Sequence, residues 1–449
     1  MSDCLLSVGL DVGTTSTQMV VSELKVENRA SGFAVPEMEI TEREIRYKGK
    51  VHFTPLLDES HVDGEGVRRI VEAEYAAAGI RRENVDTGAV IITGETSRKE
   101  NARVVLNALS DYAGEFVVAT AGPDLESVLA AKGAGAVKFS EEMEKTVLHM
   151  DIGGGTANLA LIEDGKIRKT GCLNVGGRLL KFEGNGVLNY VSPVLEGICS
   201  LKVGQRTALE QVRDVADILV QALEMAAGFR EKTELLEQLW TKESGPVWHT
   251  EGKETVISFS GGVADCIEKQ HPWLEFGDMG PLLGQVIRGS RLCRGQYRLG
   301  SETIRATVIG AGCHSAQLSG STVYVRNVKL PMKNVPVLHP ESLDTLNVEL
   351  EKQENLPVIA LEGIPSPKYR QVQEMAEKIA VAAAGKPVFL CLQQDMAKAL
   401  GQALALKMGA DAQILCLDRV KLQEGSYLDV GVPIGPALPV VVKTLILSG

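Results

Sequence analysis

Two stretches of the chain carry one and the same pattern. Residues 5–21 read Leu-Leu-Ser-Val-Gly-Leu-Asp-Val-Gly-Thr-Thr-Ser-Thr-Gln-Met-Val-Val, and residues 147–162 read Val-Leu-His-Met-Asp-Ile-Gly-Gly-Gly-Thr-Ala-Asn-Leu-Ala-Leu-Ile. Each is an apolar run, an acid, a Gly/Thr break and a second apolar run, which predicts a β-hairpin. The acids Asp11 and Asp151 stand one domain length apart, so the pattern predicts two equivalent domains, each opening on the same hairpin.

The pattern between and after the hairpins predicts alternating strands and helices. Residues 37–54 read as strands, 64–78 as a helix ended by Gly79, Val90-Ile91-Ile92 as a short buried strand, and 124–132 as a helix. Leu209, Val212, Val215, Leu219 and Leu223 recur at helical spacing over 206–227, a stripe that reads as core-facing. The strand Val256 to Phe259 runs into a strand-to-helix turn, Ser260-Gly261-Gly262-Val263-Ala264-Asp265. A second such turn is expected at Gly310-Ala311-Gly312, after a strand at 306–309. From 321 onward, strands at 357–361, 387–392, 413–417 and 437–447 flank helices at 368–384 and 394–408. The expected organisation is α/β throughout: a first domain over 1–140 with inserted strands near 30–60, a second over 141–320, and a C-terminal α/β region over 321–449.

Charge narrows the partners. The 449 residues carry a net charge of −11 with only 4% aromatics, which argues against nucleic acid, because that needs a basic track and stacking platforms. No run of 18 apolar residues predicts a membrane span, and the acidic start lacks a basic leader, so a cytoplasmic protein is expected. Eight scattered cysteines without a C-x-x-C pair and seven unclustered histidines predict neither a disulfide framework nor a zinc site. Arg288, Arg291, Arg294 and Arg298 form a basic cluster that reads as a solvated face, with protein docking as the alternative.

The two hairpin turns carry the chemistry. Glycine lets the backbone approach a ligand closely and aims several N–H groups into one space, a cradle for phosphate oxygens. Gly13 with Thr14, Thr15 and Ser16 offers this in the first turn; Gly153, Gly154, Gly155 and Thr156 repeat it in the second. Asp11 and Asp151 would repel phosphate directly, so each makes sense facing a cation such as Mg²⁺. The competing nucleotide and hydrolase signatures, G-x-x-x-x-G-K-[ST], G-x-G-x-x-G after a first strand and G-x-S-x-G, are absent.

In combination, Asp11 to Thr15, Asp151 to Thr156 and Ser260 to Gly262 resemble the two phosphate motifs and the adenosine motif of the ATPase superfamily that unites actin, heat-shock chaperones and sugar kinases. Residues 120–133 and 306–316 resemble its two connecting helices. Within that superfamily, the stretches Ile40 to Gly49, Val85 to Asn101 and Pro439 to Leu445 resemble the reactivating factors of ethanolamine ammonia-lyase, along the whole length. The resemblance implies an actin-like fold with a nucleotide cleft, ATP and Mg²⁺ as cofactors, Asp11 and Asp151 as the metal contacts, and Ser260, Gly261 and Gly262 on the adenosine side. It further implies a chaperone-like ATPase whose partner is ethanolamine ammonia-lyase, releasing damaged cobalamin so that adenosylcobalamin can rebind. Self-association and association with a bacterial microcompartment are left open. Aligning Glu126 to Gly133 on the first connecting helix nominates Asp124 to orient the attacking water, with Glu95 as a second candidate; a helix N-cap is the plainer role for Asp124. Rival activities on the same fold are a small-molecule kinase, a polymer former and a scaffold that binds nucleotide without turnover.

Overall fold

The computed structural model describes residues 3–13, 16–28, 38–58, 61–93, 109, 118–120, 123–244, 247–248, 250, 255–314, 316–319, 322–353, 355–420, 422, 426–433 and 438–444. The first sheet is built from β1 (Asp3–Val12), β2 (Ser16–Asn28), β3 (Met38–Lys48), β5 (Thr87–Ile92) and β6 (Val118–Thr120) in the order β3-β2-β1-β5-β6, with the short β4 (His52–Phe53) added to the start of β2. The second contains β7 (Thr146–Ile152), β8 (Ala157–Glu163), β9 (Lys166–Leu173), β12 (Thr255–Ser260) and β13 (Tyr297–Leu299) in the order β9-β8-β7-β12-β13, beside a separate hairpin of β10 (Leu180–Phe182) and β11 (Leu188–Val191). Both sheets repeat one plan: an antiparallel hairpin and third strand on one side, two parallel strands on the other. This is the duplicated α/β arrangement that the two sequence repeats call for.

Burial on both faces explains why β1 reads as a continuous apolar run. Val8, Leu10 and Val12 pack with Val67, Val71 and Tyr75 of the Gly64–Ala78 helix, while Leu5 packs on the opposite face with Ala89, Ile91 and Leu129. That helix starts where Asp63 accepts a hydrogen bond from the Gly66 N–H and stops at Gly79, whose φ of 66° only glycine adopts at no steric cost. In the second lobe the predicted stripe does face the core: Val212, Val215, Leu219 and Leu223 of the Leu209–Ala226 helix are all buried.

One expectation fails. Residues 306–309 are not a strand before a turn; they begin the Ala306–His314 helix, and Gly310 and Gly312 lie inside it. Periodicity cannot separate a short buried helix from a strand when every position is apolar, and every residue from Ala306 to Cys313 is buried. The glycines serve close approach instead. A Cβ on Gly310 would stand 2.0 Å from the Leu129 carbonyl oxygen, one on Gly133 would stand 1.9 Å from that of Ala306, and one on Gly9 would stand 2.5 Å from that of Val308. The Pro123–Gly133 and Ala306–His314 helices therefore cross with backbones touching, and the second also lies on β1.

The C-terminal region forms an eight-stranded sheet from β14 (Ala316–Leu318), β15 (Tyr324–Arg326), β16 (Met332–Leu338), β17 (Val358–Leu361), β18 (Val388–Leu392), β19 (Ile414–Asp418), β20 (Ser426–Val430) and β21 (Pro439–Thr444). Strands β16 to β19 run parallel, and the Tyr369–Ala383 and Ala397–Met408 helices bury Ile379, Leu400 and Leu404 against them.

The helix crossing yields a prediction. Gly310→Ala and Gly133→Ala each force a methyl into a neighbouring backbone, so each variant of the intact chain should lose at least about 1–3 kcal/mol in chemical denaturation. Unchanged midpoints would show that the crossing is looser than described.

Candidate active site: paired acidic turns across a cleft

Strand register places the key side chains. Asp11 is the penultimate residue of β1 and pairs with Gln18 on β2; Asp151 is the penultimate residue of β7 and pairs with Asn158 on β8. Both turns close on one hydrogen bond, Gly13 N–H to Ser16 O at 2.9 Å and Gly153 N–H to Thr156 O at 2.9 Å. The two turns line one cavity of about 610 Å³, which takes residues from both lobes. Thr14, Thr15 and Glu95 lie outside the described residues.

The second turn is locked from beneath. Gly177 N–H donates to Gly153 O at 3.0 Å and Arg178 N–H donates to Gly154 O at 2.6 Å. Gly261 takes φ +86°, and a Cβ there would stand 2.3 Å from Ile152 O, so the backbone of the Ser260–Gly262 turn presses directly on β7. Gly261 and Gly262 line the cavity; Ser260 does not. Its buried hydroxyl donates instead to Asp151 Oδ1.

The electrostatics are those of two acids kept from water. Asp11 is 8% exposed, and burial pushes its carboxyl up to about 7; the Asp151 charge adds to the rise, and the Thr93 hydroxyl, donating at 2.8 Å, opposes it. Burial likewise raises Asp151 to about 6, against the hydroxyls of Ser260 and, at 3.5 Å, Thr307. Ser260 leads on to a buried imidazole: His149 Nε2 lies 2.9 Å from Ser260 Oγ and Nδ1 lies 3.1 Å from Ser258 Oγ. Burial holds His149 down to about 3, so the ring is neutral. Because Ser260 gives its one proton to Asp151, Nε2–H must donate to Ser260 and the Ser258 hydroxyl to Nδ1.

The donor set fits a hard divalent cation. Besides the carboxylates, the buried amide oxygens Gln18 Oε1 and Asn158 Oδ1 have no hydrogen-bond partner among the described residues, and both residues line the cavity at the matching positions of the two hairpins. Among the described residues, no group of three or more His, Cys, Asp or Glu forms a metal cage. Water and phosphate oxygens would have to complete the coordination, which is how Mg²⁺ is commonly held.

The sequence nominates Asp124 and Glu95 to orient water; Glu95 lies outside the described residues, and the acid of the Pro123–Gly133 helix that reaches the cavity is a third one, Glu126. Asp124 accepts a hydrogen bond from Thr170 Oγ1 at 2.6 Å and does not line the cavity, whereas Glu126, 9% exposed, does. Residues two apart on a helix point about 200° from one another, so only one can face the cleft. The sequence supplied both acids without the phase of the helix. Gln18, Thr93, Asn158 and Arg178 also line the cavity and carry no sequence signature of their own. Within the arginine cluster, Arg288 lies 3.5 Å from Glu268, Arg291 donates to Phe229 O at 2.6 Å, and the Arg298 guanidinium carbon stands 4.2 Å from the centre of the Phe139 ring. Cys313 and His314 make no catalytic pair. The thiol lies 3.0 Å from the Ser22 hydroxyl, and burial, with Arg43 and Lys132 nearby, lowers His314 to about 3.

The raised carboxyls set the sign of a pH effect. Between an unfolded value near 3.8 and a folded value near 7, Asp11 binds more protons folded than unfolded, so its contribution to stability falls as pH rises through that window. Without nucleotide or divalent cation, Asp11→Asn should leave the melting temperature near that of the parent at pH 4 and raise it by about 2 °C or more at pH 8. A lower melting temperature at pH 8 would contradict the buried, cation-free carboxylate.

Among the described residues, no helix is long and apolar enough to cross a membrane. Two solved structures similar to the chain are a Ppx/GppA protein of Aquifex aeolicus, at 12% identity and a TM-score of 0.42 over 69% of this chain and 97% of that one, and the ethanolamine utilization protein EutJ of Carboxydothermus hydrogenoformans, at 18% identity and 0.34 over 68% and 89%. Sequence relatives are closer. Proteins named ethanolamine ammonia-lyase reactivase EutA from Salmonella typhimurium and Escherichia coli are 38% and 36% identical, each over 98% of both chains. The family model described as ethanolamine utilisation protein EutA matches residues 3–448. With the match unbroken from the first acidic turn to the last strand, the chain belongs to the EutA family of ethanolamine utilisation proteins.

Proposed function

We propose that this chain reactivates ethanolamine ammonia-lyase: it binds ATP with Mg²⁺ between its two lobes, hydrolyses it, and uses the resulting lobe motion to open the partner so that damaged cobalamin leaves and adenosylcobalamin binds. The partner comes from what the full-length relatives are named. The observation that carries the nucleotide reading is the pair of equivalent turns, each with a buried acid, lining one cavity.

Residues 1–140 and 141–320 act as the two lobes, with 321–449 as an added α/β unit. The backbone N–H groups of the Gly13–Ser16 and Gly153–Thr156 turns cradle the phosphates, where fixed dipoles stabilise charge as it develops. Asp11 and Asp151 would hold Mg²⁺, with the amide oxygens of Gln18 and Asn158 beside them as further hard donors. Bound there, the cation neutralises phosphate charge and aligns the leaving group. Gly261 and Gly262 leave room for the adenosine. Glu126 orients the attacking water and receives its proton; Asp124 keeps the helix end against β9. Nucleotide held between two lobes favours the closed cleft, and loss of the terminal phosphate removes contacts that favour it.

The test mixes cyanocobalamin-inactivated ethanolamine ammonia-lyase with the full chain, ATP, Mg²⁺ and adenosylcobalamin, and follows ammonia release. Recovery should require ATP. Glu126→Gln should bind nucleotide as the parent does yet lose about 10²- to 10⁴-fold in phosphate release and fail in recovery, while Asp124→Asn should change phosphate release by less than about tenfold. Recovery without ATP would overturn the ATPase reading, and no recovery would overturn the partner.

A further inference from the structure

A contact at the mouth of the cavity joins the two lobes. The β4 strand that follows the first lobe's third strand is pinned to the first phosphate turn: Ser16 pairs with Phe53, Thr17 pairs with His52, and the Thr54 hydroxyl donates to Gly13 O at 2.7 Å. Phe53 therefore moves with that turn. It is 78% exposed, an unusual place for a large aromatic ring, and it lines the cavity. From the second lobe, the Arg178 guanidinium carbon stands 5.5 Å from the centre of the Phe53 ring. Arg178 moves with the second phosphate turn, because its N–H donates to Gly154 O.

Arg178 is also held on a second side. Its Nε donates to Asp278 Oδ2 at 3.2 Å, and Asp278, 8% exposed, is fixed in turn by the Gly280 N–H at 2.8 Å from Oδ1. Its charge is paired with Asp278, but the terminal nitrogens of Arg178 make no hydrogen bond among the described residues. Around it the cavity is acidic: Asp11, Glu126, Asp151, Asp265, Glu275 and Asp278 all line it, against Arg178 and the exposed Lys269. A polyphosphate entering such a space needs positive charge beyond a single divalent ion. Arg178 is the guanidinium already beside the second phosphate turn, with the four N–H donors of its two terminal nitrogens unused among the described residues and a planar fork suited to phosphate oxygens.

We propose that Phe53 and Arg178 form a latch across the cleft mouth, and that Arg178 binds the terminal phosphate of the triphosphate so that its loss leaves the stack with Phe53 as the remaining hold. This rests on the nucleotide reading above. It assigns the closing of the cleft to one contact, a cation over an aromatic face, made between the two turns that grip the phosphates.

Stopped-flow displacement of fluorescent ADP and of a fluorescent, non-hydrolysable ATP analogue from the full chain tests it. Phe53→Ala removes only an exposed ring and should speed release of both nucleotides about two- to fivefold, as expected for losing an exposed cation–π contact. Phe53→Leu keeps apolar cover and should behave like Phe53→Ala. Arg178→Gln should speed release of the ATP analogue by about tenfold or more, and of ADP only as much as Phe53→Ala does. Parent rates in Phe53→Ala, or parent-like release from Phe53→Leu alone, would overturn the cation–aromatic latch. Equal acceleration of both nucleotides in Arg178→Gln would overturn the terminal-phosphate contact. If the parent chain bound neither nucleotide, the nucleotide reading itself would fall and take this inference with it; nucleotide bound normally, with release rates indifferent to all three substitutions, would sink the latch alone.

Discussion

Asp11 and Asp151 are buried with no lysine or arginine paired to either among the described residues, and the rest of the site is arranged around that cost. A carboxylate withdrawn from water is expensive unless a cation or several donors replace the lost hydration. Among the described residues the protein supplies only part of the replacement: the Thr93 hydroxyl for Asp11, and for Asp151 the hydroxyls of Thr307 and of Ser260, the latter backed by a neutral histidine. A cation brought from outside would meet the remaining demand, and the oxygens of Gln18 and Asn158, without a partner among the described residues, point the same way. A site tuned in this way is destabilising when empty, which is the usual relation between binding chemistry and fold stability.

Backbone contact at glycines turns that local chemistry into a property of the whole molecule. Gly261 lets the Ser260–Gly262 turn press on β7 within two residues of Asp151, and Gly176 lets the Gly153–Thr156 turn rest on the loop below it, where a Cβ would stand 2.3 Å from Gly154 O. Behind the site, Gly9, Gly133 and Gly310 bring the two connecting helices and β1 into direct contact. Close-packed backbones transmit displacement because they have no side chains to absorb it. A shift at either acidic turn would therefore pass to the helices that cross behind the site.

The sequence makes the duplication readable because the acid, the glycines and the flanking apolar runs are all local, and register then follows from strand period. The matching of Gln18 with Asn158 follows from the same register, yet an amide has no motif of its own, and its role emerges only when its oxygen is seen without a partner among the described residues. Asp124 and Glu126 show the limit for helices: the acids are visible, but which faces the cleft depends on helical phase set by distant packing against β9. The run 306–312 shows the limit for uniformly apolar segments, where glycine reads as a turn and acts as a contact. In the C-terminal region the central strands β17 to β19 stand out by their apolar runs, while β15, β16 and β20 carry a pattern too mixed to read.

The central claim is that two buried acids make nucleotide binding conditional on a divalent cation. Calorimetric titration of the full chain with a non-hydrolysable ATP analogue at pH 8, with Mg²⁺ and again with a chelator in its place, tests it most directly. The account predicts binding at least about tenfold tighter with Mg²⁺, because repulsion between phosphates and carboxylates is relieved only when the cation stands between them. Equal affinity in the chelator would contradict it.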